Sequence, residues 1–172
     1  AAFPSISHDY MWETLLAIGI PPQVVKSYQR FYFNNNHQVR WGGETHDSVK
    51  VGSGVRQGCP LSPLLFVLCI EPLLWKLQKD FPDACVRAFA DDIGMVLPNV
   101  EHRWREIICV FKEFAQISGL HIHPTKTIMI PLGDLTPSQI QAASWYADSD
   151  WNEAPVETSA KYTVNISKDG NK

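Results

Sequence analysis

At 172 residues, 45% of them hydrophobic, the chain is long enough for one domain with a sizeable core or for part of a larger one. A formal net charge of -3 argues against a free-standing nucleic-acid binder held by general basicity, since such domains are strongly basic. No run of about 18 apolar residues is present, which excludes a membrane-spanning helix, and the N-terminus lacks the basic-then-apolar pattern of a signal peptide.

The chain starts Ala1-Ala2-Phe3-Pro4 without an initiator Met and reads as an interior piece of a longer product. Ser7 can cap a first helix, roughly His8 to Ile18, with Tyr10, Leu15, Leu16 and Ile18 at helical spacing before Gly19 ends it. Pro21 and Pro22 suit the first turn of a second helix, which carries Val24, Val25, Tyr28, Phe31 and Tyr32 and closes at Asn34-Asn35-Asn36. The pattern then changes to a β-hairpin: Val39-Arg40-Trp41, a Gly42-Gly43 turn, and Ser48-Val49-Lys50-Val51. Trp41 there is expected to pack.

A glycine- and proline-rich loop, Gly52 to Pro63, leads into a helix from about Ser62 to Asp80, with Ser62 as its cap and Pro63 at its first position. Leu64, Leu65, Phe66, Val67, Leu68, Ile70, Leu73, Leu74, Trp75 and Leu77 make this helix apolar nearly all round, so it is predicted to be buried against a sheet. Cys85-Val86-Arg87-Ala88-Phe89 and Ile93 to Leu97 read as buried strands of a second hairpin with Asp91 and Asp92 at its tip. A third long helix spans Glu101 to Ser118, with Trp104, Ile107, Ile108, Val110, Phe111, Phe114 and Ile117 inward and Gly119 as its stop. Ile128-Met129-Ile130 is predicted as a strand, Thr136-Pro137 opens a short helix to about Tyr146, Asp148 to Glu157 is an acidic loop, and Ala160 to Ile166 is a final strand.

The organisation is α+β: a small antiparallel sheet with helices packed on one face, one partial domain over 1–172, with 131–172 a C-terminal extension of unsettled character. Cys59, Cys69, Cys85 and Cys109 form no CxxC pair and lie in apolar neighbourhoods, so they are expected to be buried thiols in a reducing, intracellular setting, cytoplasm or nucleus. His121 and His123 alternate as edge residues and do not define a metal site.

Two adjacent aspartates in an apolar setting repel each other and cost desolvation energy unless a cation or a cluster of donors meets them. A divalent metal answers that need, although Asp-Asp also serves as a plain polar turn. The most specific stretch is Arg56-Gln57-Gly58-Cys59-Pro60-Leu61-Ser62-Pro63, where two prolines, a glycine and a polar pair precede a buried helix.

This stretch resembles the RQGxPLSP block of reverse transcriptases, and Phe89-Ala90-Asp91-Asp92 resembles the [FY]xDD box of the same family, in the family's order. Ala2-Phe3 looks like the end of the D-x-x-x-A-[FY] block, and Gly119-Leu120 through Lys126-Thr127 like the later G-L-x-x-x-x-x-K-[ST] block, with the flavour of non-LTR, LINE-type retroelement polymerases. The resemblance covers Ala1 to about Ile130 and implies the palm of an RNA-directed DNA polymerase. It implies Mg²⁺, with Mn²⁺ as the substitute, held by Asp91 as direct ligand and Asp92 as supporting carboxylate. It also implies Lys126 as proton donor or charge neutraliser at pyrophosphate, and Phe3, Arg56, Gln57, Gly58 and Phe89 as contacts to nucleotide and template. The implied partners are an RNA template, a DNA primer, deoxynucleoside triphosphates and the fingers and thumb of the same polypeptide.

The family's first aspartate would fall three residues before Ala1, which leaves catalysis by this polypeptide alone an open question. Ala160-Lys161-Tyr162 matches the family's final palm hairpin only in part, since Thr163-Val164 stand where Leu-Gly is the pattern. The alternatives are a catalytically inactive remnant or interaction domain that keeps the polymerase fold, and an RNA-directed RNA polymerase. The latter is disfavoured because those enzymes usually carry Gly before Asp-Asp.

Overall fold

In the protein's structure, a computed structural model that describes residues 2–33 and 36–158 except for the side chains at 36, 37 and 47–50, the first helix starts where its cap predicts. Helix α1 is His8–Ala17. Ser7 stays extended and its side chain accepts from the Tyr10 N–H, while Gly19 leaves the helix at a φ of 91°. Helix α2, Pro22–Tyr32, opens on its proline and packs on α1. Val25 and Tyr32, seven residues apart, are its buried stripe. Val24 and Phe31 lie on the neighbouring stripe and are exposed.

Strands β1, Asn36–Trp41, and β2, Glu44–Lys50, pair antiparallel across Gly42-Gly43, both glycines at positive φ as a tight hairpin turn requires. Trp41, predicted to pack, is 79% exposed. Strands β3, Cys85–Phe89, and β4, Asp92–Val96, form a second antiparallel pair. The fold is α+β as predicted, but its antiparallel sheet is two separate two-stranded ladders among the described residues. The final strand predicted at Ala160 to Ile166 lies outside them.

Helix α3, Ser62–Asp80, is the core element of the first of two compact units, which takes residues up to Pro98 together with Cys109–His121. It packs on α1 and on β3 through Leu65, Phe66, Cys69, Ile70, Leu73 and Leu77. The predicted burial against a sheet holds for one face only: Leu64, Val67 and Trp75 are exposed, because one helix face meets α1 and β3 and the other meets solvent. Ser62 is the first helical residue and does not cap; its hydroxyl donates to the Arg56 carbonyl at 2.5 Å. Pro72 sits inside the helix and, lacking an N–H, removes the bond the Leu68 carbonyl would accept. The next carbonyl, Cys69, accepts from the Tyr10 hydroxyl at 2.9 Å. Burial pushes that hydroxyl and the Cys69 thiol each up to about 12, so both stay neutral.

Helix α4, Val100–Ser118, contributes its second half to this unit, with Val110, Phe111, Phe114 and Ala115 buried and Ile117, predicted inward, exposed. Gly119 follows at φ 75°, where an added Cβ would lie 2.7 Å from the Ser5 carbonyl oxygen. Cys85 and Cys109 are exposed, against the prediction of buried thiols, and all four cysteines are free.

The second unit takes Asn99–Ile108 and, among the described residues, 122–158. Trp104 is its centre: the indole N–H donates to Ser149 Oγ at 3.0 Å, and the rings of Trp151, Trp145 and Tyr146 stand 5.6, 6.2 and 6.3 Å away. The predicted helix to Tyr146 is two: α5, Pro137–Ala142, held by a Thr136/Gln139 capping box, and α6, Ser144–Ala147, separated by the extended Ala143. The acidic stretch 148–157 is the loop predicted, and it is held down by buried Trp151 and Ala154 and by the Tyr146 hydroxyl, which donates to the Ala154 carbonyl. Instead of a strand at Ile128 to Ile130, a single parallel bridge joins Met129 to Val156. No helix among the described residues is long and apolar enough to cross a membrane.

Truncating Leu77, fully buried in α3, should cost about 2–5 kcal/mol by urea denaturation, whereas Trp75→Ala on the open face of the same helix should cost under about 1 kcal/mol. A thiol reagent at neutral pH should modify Cys85 and Cys109 in the native protein and reach Cys69 only on unfolding, as read by mass spectrometry of the labelled chain.

Candidate functional site

The aspartate pair sits at the two-residue turn of the β3–β4 hairpin. Phe89 pairs with Asp92, so Ala90 and Asp91 are the two turn residues. Ala90 takes a φ of 52° and Asp91 does not take positive φ, the pattern of a type II′ turn, which glycine usually fills. Strand alternation puts Asp92 on one face with Phe89, Arg87, Gly94, Cys85 and Val96, and every one of these is exposed. The opposite face carries Val86, buried, with Ile93 and Met95 half-buried.

The buried strands predicted around the pair are therefore corrected. Val86 is the one buried residue of the ladder, and Phe89 is 85% exposed. β3 covers α3 with one face only, so the Asp92 face is open along its length. Both carboxylates stand in water, which hydrates their charge without a cation. A cation at this turn would be held by the hard oxygen donors offered to it, with no buried charge to relieve.

The Arg56 loop is built by the segment that carries Phe3. The Gly54 N–H donates to the Ile6 carbonyl at 2.7 Å, and the Val55 N–H to the Phe3 carbonyl at 2.8 Å. The Ser53 hydroxyl donates to the Pro4 carbonyl at 3.1 Å, and His8 Nε2 donates to the Gly54 carbonyl at 2.9 Å. Approach is so close that a Cβ on Gly54, at φ 86°, would fall 2.5 Å from Pro4 Cα. Downstream, the Cys59 N–H bonds the Arg56 carbonyl and Ser62 returns to the same oxygen, which closes the loop onto the start of α3. Arg56, Gln57 and Gly58 are exposed on it, with Gly58 at φ 84° and open space where a side chain would stand. The Phe3 ring is half-buried and stacks on Phe66 of α3 at 4.4 Å and 16°.

The structure thus brings Phe3 together with the loop of Arg56, Gln57 and Gly58, and sets that loop at the N-terminus of the helix that supports the Asp91-Asp92 hairpin. Lys126 belongs to the second unit. It ends a 3₁₀ turn, Pro124–Lys126, where it is exposed, and does not lie on a strand edge. His121 and His123 are exposed. No group of three or more His, Cys, Asp and Glu side chains placed to hold a metal occurs among the described residues, so the hairpin offers two carboxylates of the right donor chemistry and no third acid joins them. Sequence reasoning missed Ser53, Gly54 and His8 as the parts that position the loop. The Gly-Ser-Gly run ahead of Arg56 was their only signal.

A family model for reverse transcriptase (RNA-dependent DNA polymerase) matches residues 1–157. The chain is 31% identical over 157 residues to the Transposon TX1 uncharacterized 149 kDa protein of Xenopus laevis, covering 84% of this chain and 12% of that protein. It is 28% identical over 158 residues to the retrovirus-related Pol polyprotein from type-2 retrotransposable element R2DM of Drosophila melanogaster, covering 86% and 15%. A third relative, the retrovirus-related Pol polyprotein from type-1 retrotransposable element R2 of Popillia japonica, is 29% identical over 137 residues, covering 75% and 22%. The chain spans less than a quarter of the length of each of these relatives.

Gly54→Ala should destabilise the chain by at least about 3 kcal/mol, since strain at positive φ adds to a backbone clash, whereas Gly58→Ala meets open space and should cost about 1–2 kcal/mol. Urea midpoints of the two variants, read side by side, check this order.

Proposed function

The chain belongs to the reverse transcriptase family, and we propose that it is the palm part of an RNA-directed DNA polymerase of a non-LTR retroelement, carrying out template-directed nucleotidyl transfer. The observation that carries this reading is the open Asp92 face of the β3–β4 hairpin, which leaves room for a primer terminus beside two carboxylates. The family generally uses a divalent metal and implies a nucleic-acid template and deoxynucleotides. We take the ion to be Mg²⁺, with Mn²⁺ able to replace it, and the nucleic acids to be an RNA template and a DNA primer.

Asp91 and Asp92 would hold the ion through their carboxylate oxygens. When bound, a divalent pair supplies the positive charge that activates a primer hydroxyl and offsets charge on the departing pyrophosphate. Gln57 and the backbone at Gly58 face the nascent base pair, where the lack of a Cβ allows close approach. Arg56 meets a phosphate of the template, a contact that positions without reading sequence. One face of the Phe3 ring is committed to Phe66, and its edge is left to pack under the incoming sugar. Phe89, projecting from the same face as Asp92, contacts the nucleotide or template there. Lys126 gives its proton to the pyrophosphate, or neutralises it. The whole chain acts as one partial polymerase domain in an intracellular setting, cytoplasm or nucleus, and takes its basic fingers and thumb from elsewhere in the same polypeptide.

A second reading, an inactive remnant that keeps the fold, is favoured by the two-carboxylate donor set. Primer extension on an RNA template separates the two, using the protein extended upstream to include an aspartate three residues before Ala1. Asp91→Asn should lower incorporation at least about 100-fold, and chelation of the divalent ion should abolish it. Equal incorporation by wild type and Asp91→Asn would remove Asp91 as a ligand, and none by either would favour the remnant.

A further inference from the structure

Gly94 is a glycine that the fold does not require. It lies inside β4, across from Arg87 and two residues beyond Asp92 on the same open face. Its φ is outside the positive range that favours glycine, and it takes no part in the hairpin turn. A Cβ built there would meet one atom among the described residues, the Arg87 carbonyl oxygen at 3.9 Å, which is ordinary contact; no side chain comes within 4 Å. Glycine inside a strand weakens it, through the freedom it adds to the unfolded chain and the packing it leaves out. One that neither a turn nor a neighbour explains marks the close approach of something from outside.

Arg87 narrows what that is. It is exposed, and one of its N–H groups donates to the Val86 carbonyl at 2.8 Å, which ties the guanidinium to its own strand and leaves the space over Gly94 open. No carboxylate pairs with it among the described residues. An apolar segment laid over this face would strand that cation without a partner, so the visitor carries negative charge. The carboxylates supply a second constraint. Gly94 stands about 7 Å from Asp92 along the strand, close to one step between successive phosphates of a nucleic-acid backbone. A strand whose terminal hydroxyl meets the aspartate pair therefore brings the phosphate of that same nucleotide to Arg87. Its sugar must then lie flat on the ladder, and the missing side chain at Gly94 allows it to.

We propose that Gly94 and Arg87 seat the terminal nucleotide of the primer, its backbone lying on Gly94 and the phosphate on its 5′ side held by the Arg87 guanidinium. The inference rests on the polymerase reading above and deepens it by naming the residues that position the primer. A phosphate contact of this kind fixes the register of the strand and reads no sequence.

The test is binding of a labelled DNA primer on an RNA template to the protein extended upstream, as for primer extension, read by fluorescence anisotropy over a salt series. Arg87→Gln should weaken binding about 10-fold at low salt and make the slope of log K against log salt shallower by about 0.9, the loss of one phosphate contact, which a merely structural role would not produce. A primer whose last internucleotide phosphate is an uncharged methylphosphonate should cost the wild type about the same 10-fold and cost Arg87→Gln nothing further. Gly94→Val puts a side chain in the path of the backbone and should weaken binding at least about 10-fold, while the melting temperature holds or rises because valine suits a strand better than glycine. An unchanged salt slope for Arg87→Gln, an equal loss from the methylphosphonate in both proteins, or unchanged binding by Gly94→Val overturns the seat and leaves the polymerase reading standing. A lower melting temperature for Gly94→Val also overturns it, because the fold would then need the glycine. Wild-type protein that neither binds nor extends the primer overturns both.

Discussion

The segment from Phe3 to Ser7 is gripped on two sides, and the first unit is built around that grip. On one side Val55 and Gly54 donate to the Phe3 and Ile6 carbonyls. On the other, the Ser7 N–H donates to the Ser118 carbonyl at 2.7 Å. Glycine is obligatory at each point of contact, since a Cβ on Gly54 would strike Pro4 and one on Gly119 would strike the Ser5 carbonyl. Two loops far apart in sequence are thereby drawn onto one short extended segment with buried Ile6. Helix α1 leaves from its end, α3 follows the Arg56 loop, and the close of α4 abuts it. Phe3 reaches the neighbourhood of Arg56, Gln57 and Gly58 because of backbone geometry, before any side-chain chemistry is considered.

Much of this was legible in the sequence where the code is local. Ser7, Gly19, Pro22 and Gly119 mark helix ends through their own backbone preferences, and Asp91-Asp92 between two short apolar runs reads as a hairpin turn. The Gly54 contact was not legible, since closeness to Pro4 is a property of two distant segments and leaves only an unexplained glycine. Ser62 misled for the opposite reason: a serine ahead of a proline-led helix has a local meaning as a cap, and the loop closure to Arg56 used the hydroxyl instead.

Burial was the least legible property. The apolar residues of α3 run round the whole helix, and composition alone cannot say which of Leu64 and Leu65 turns inward. Contact with α1 and β3 decides it, and Leu65, Phe66 and Cys69 are taken while Leu64 and Val67 are left out. The same applies to the ladder of β3 and β4. Its residues suit a buried sheet by type, but two strands with one covering helix have a single inner face. In the second unit Asp148 to Glu157 is the loop its charges and turn formers predict, but its anchoring was not legible: Trp151 and Ala154 are buried, with the Trp151 ring against Trp104.

Exposure of the aspartate pair alters the physical case for a metal. Had the carboxylates been buried, repulsion and desolvation would have demanded a cation even in the free protein. In water that demand is gone, and two hydrated carboxylates on a turn give only a weak hold on a strongly hydrated ion. Mg²⁺ retains much of its water and is commonly bound by one or two carboxylates together with phosphates of the substrate. For the proposed chemistry, occupancy by the ion is then coupled to arrival of the nucleotide, whose phosphates complete the coordination the hairpin begins. An open Asp92 face serves such a site better than a closed one, because the missing oxygens come from the substrate that the face has to admit.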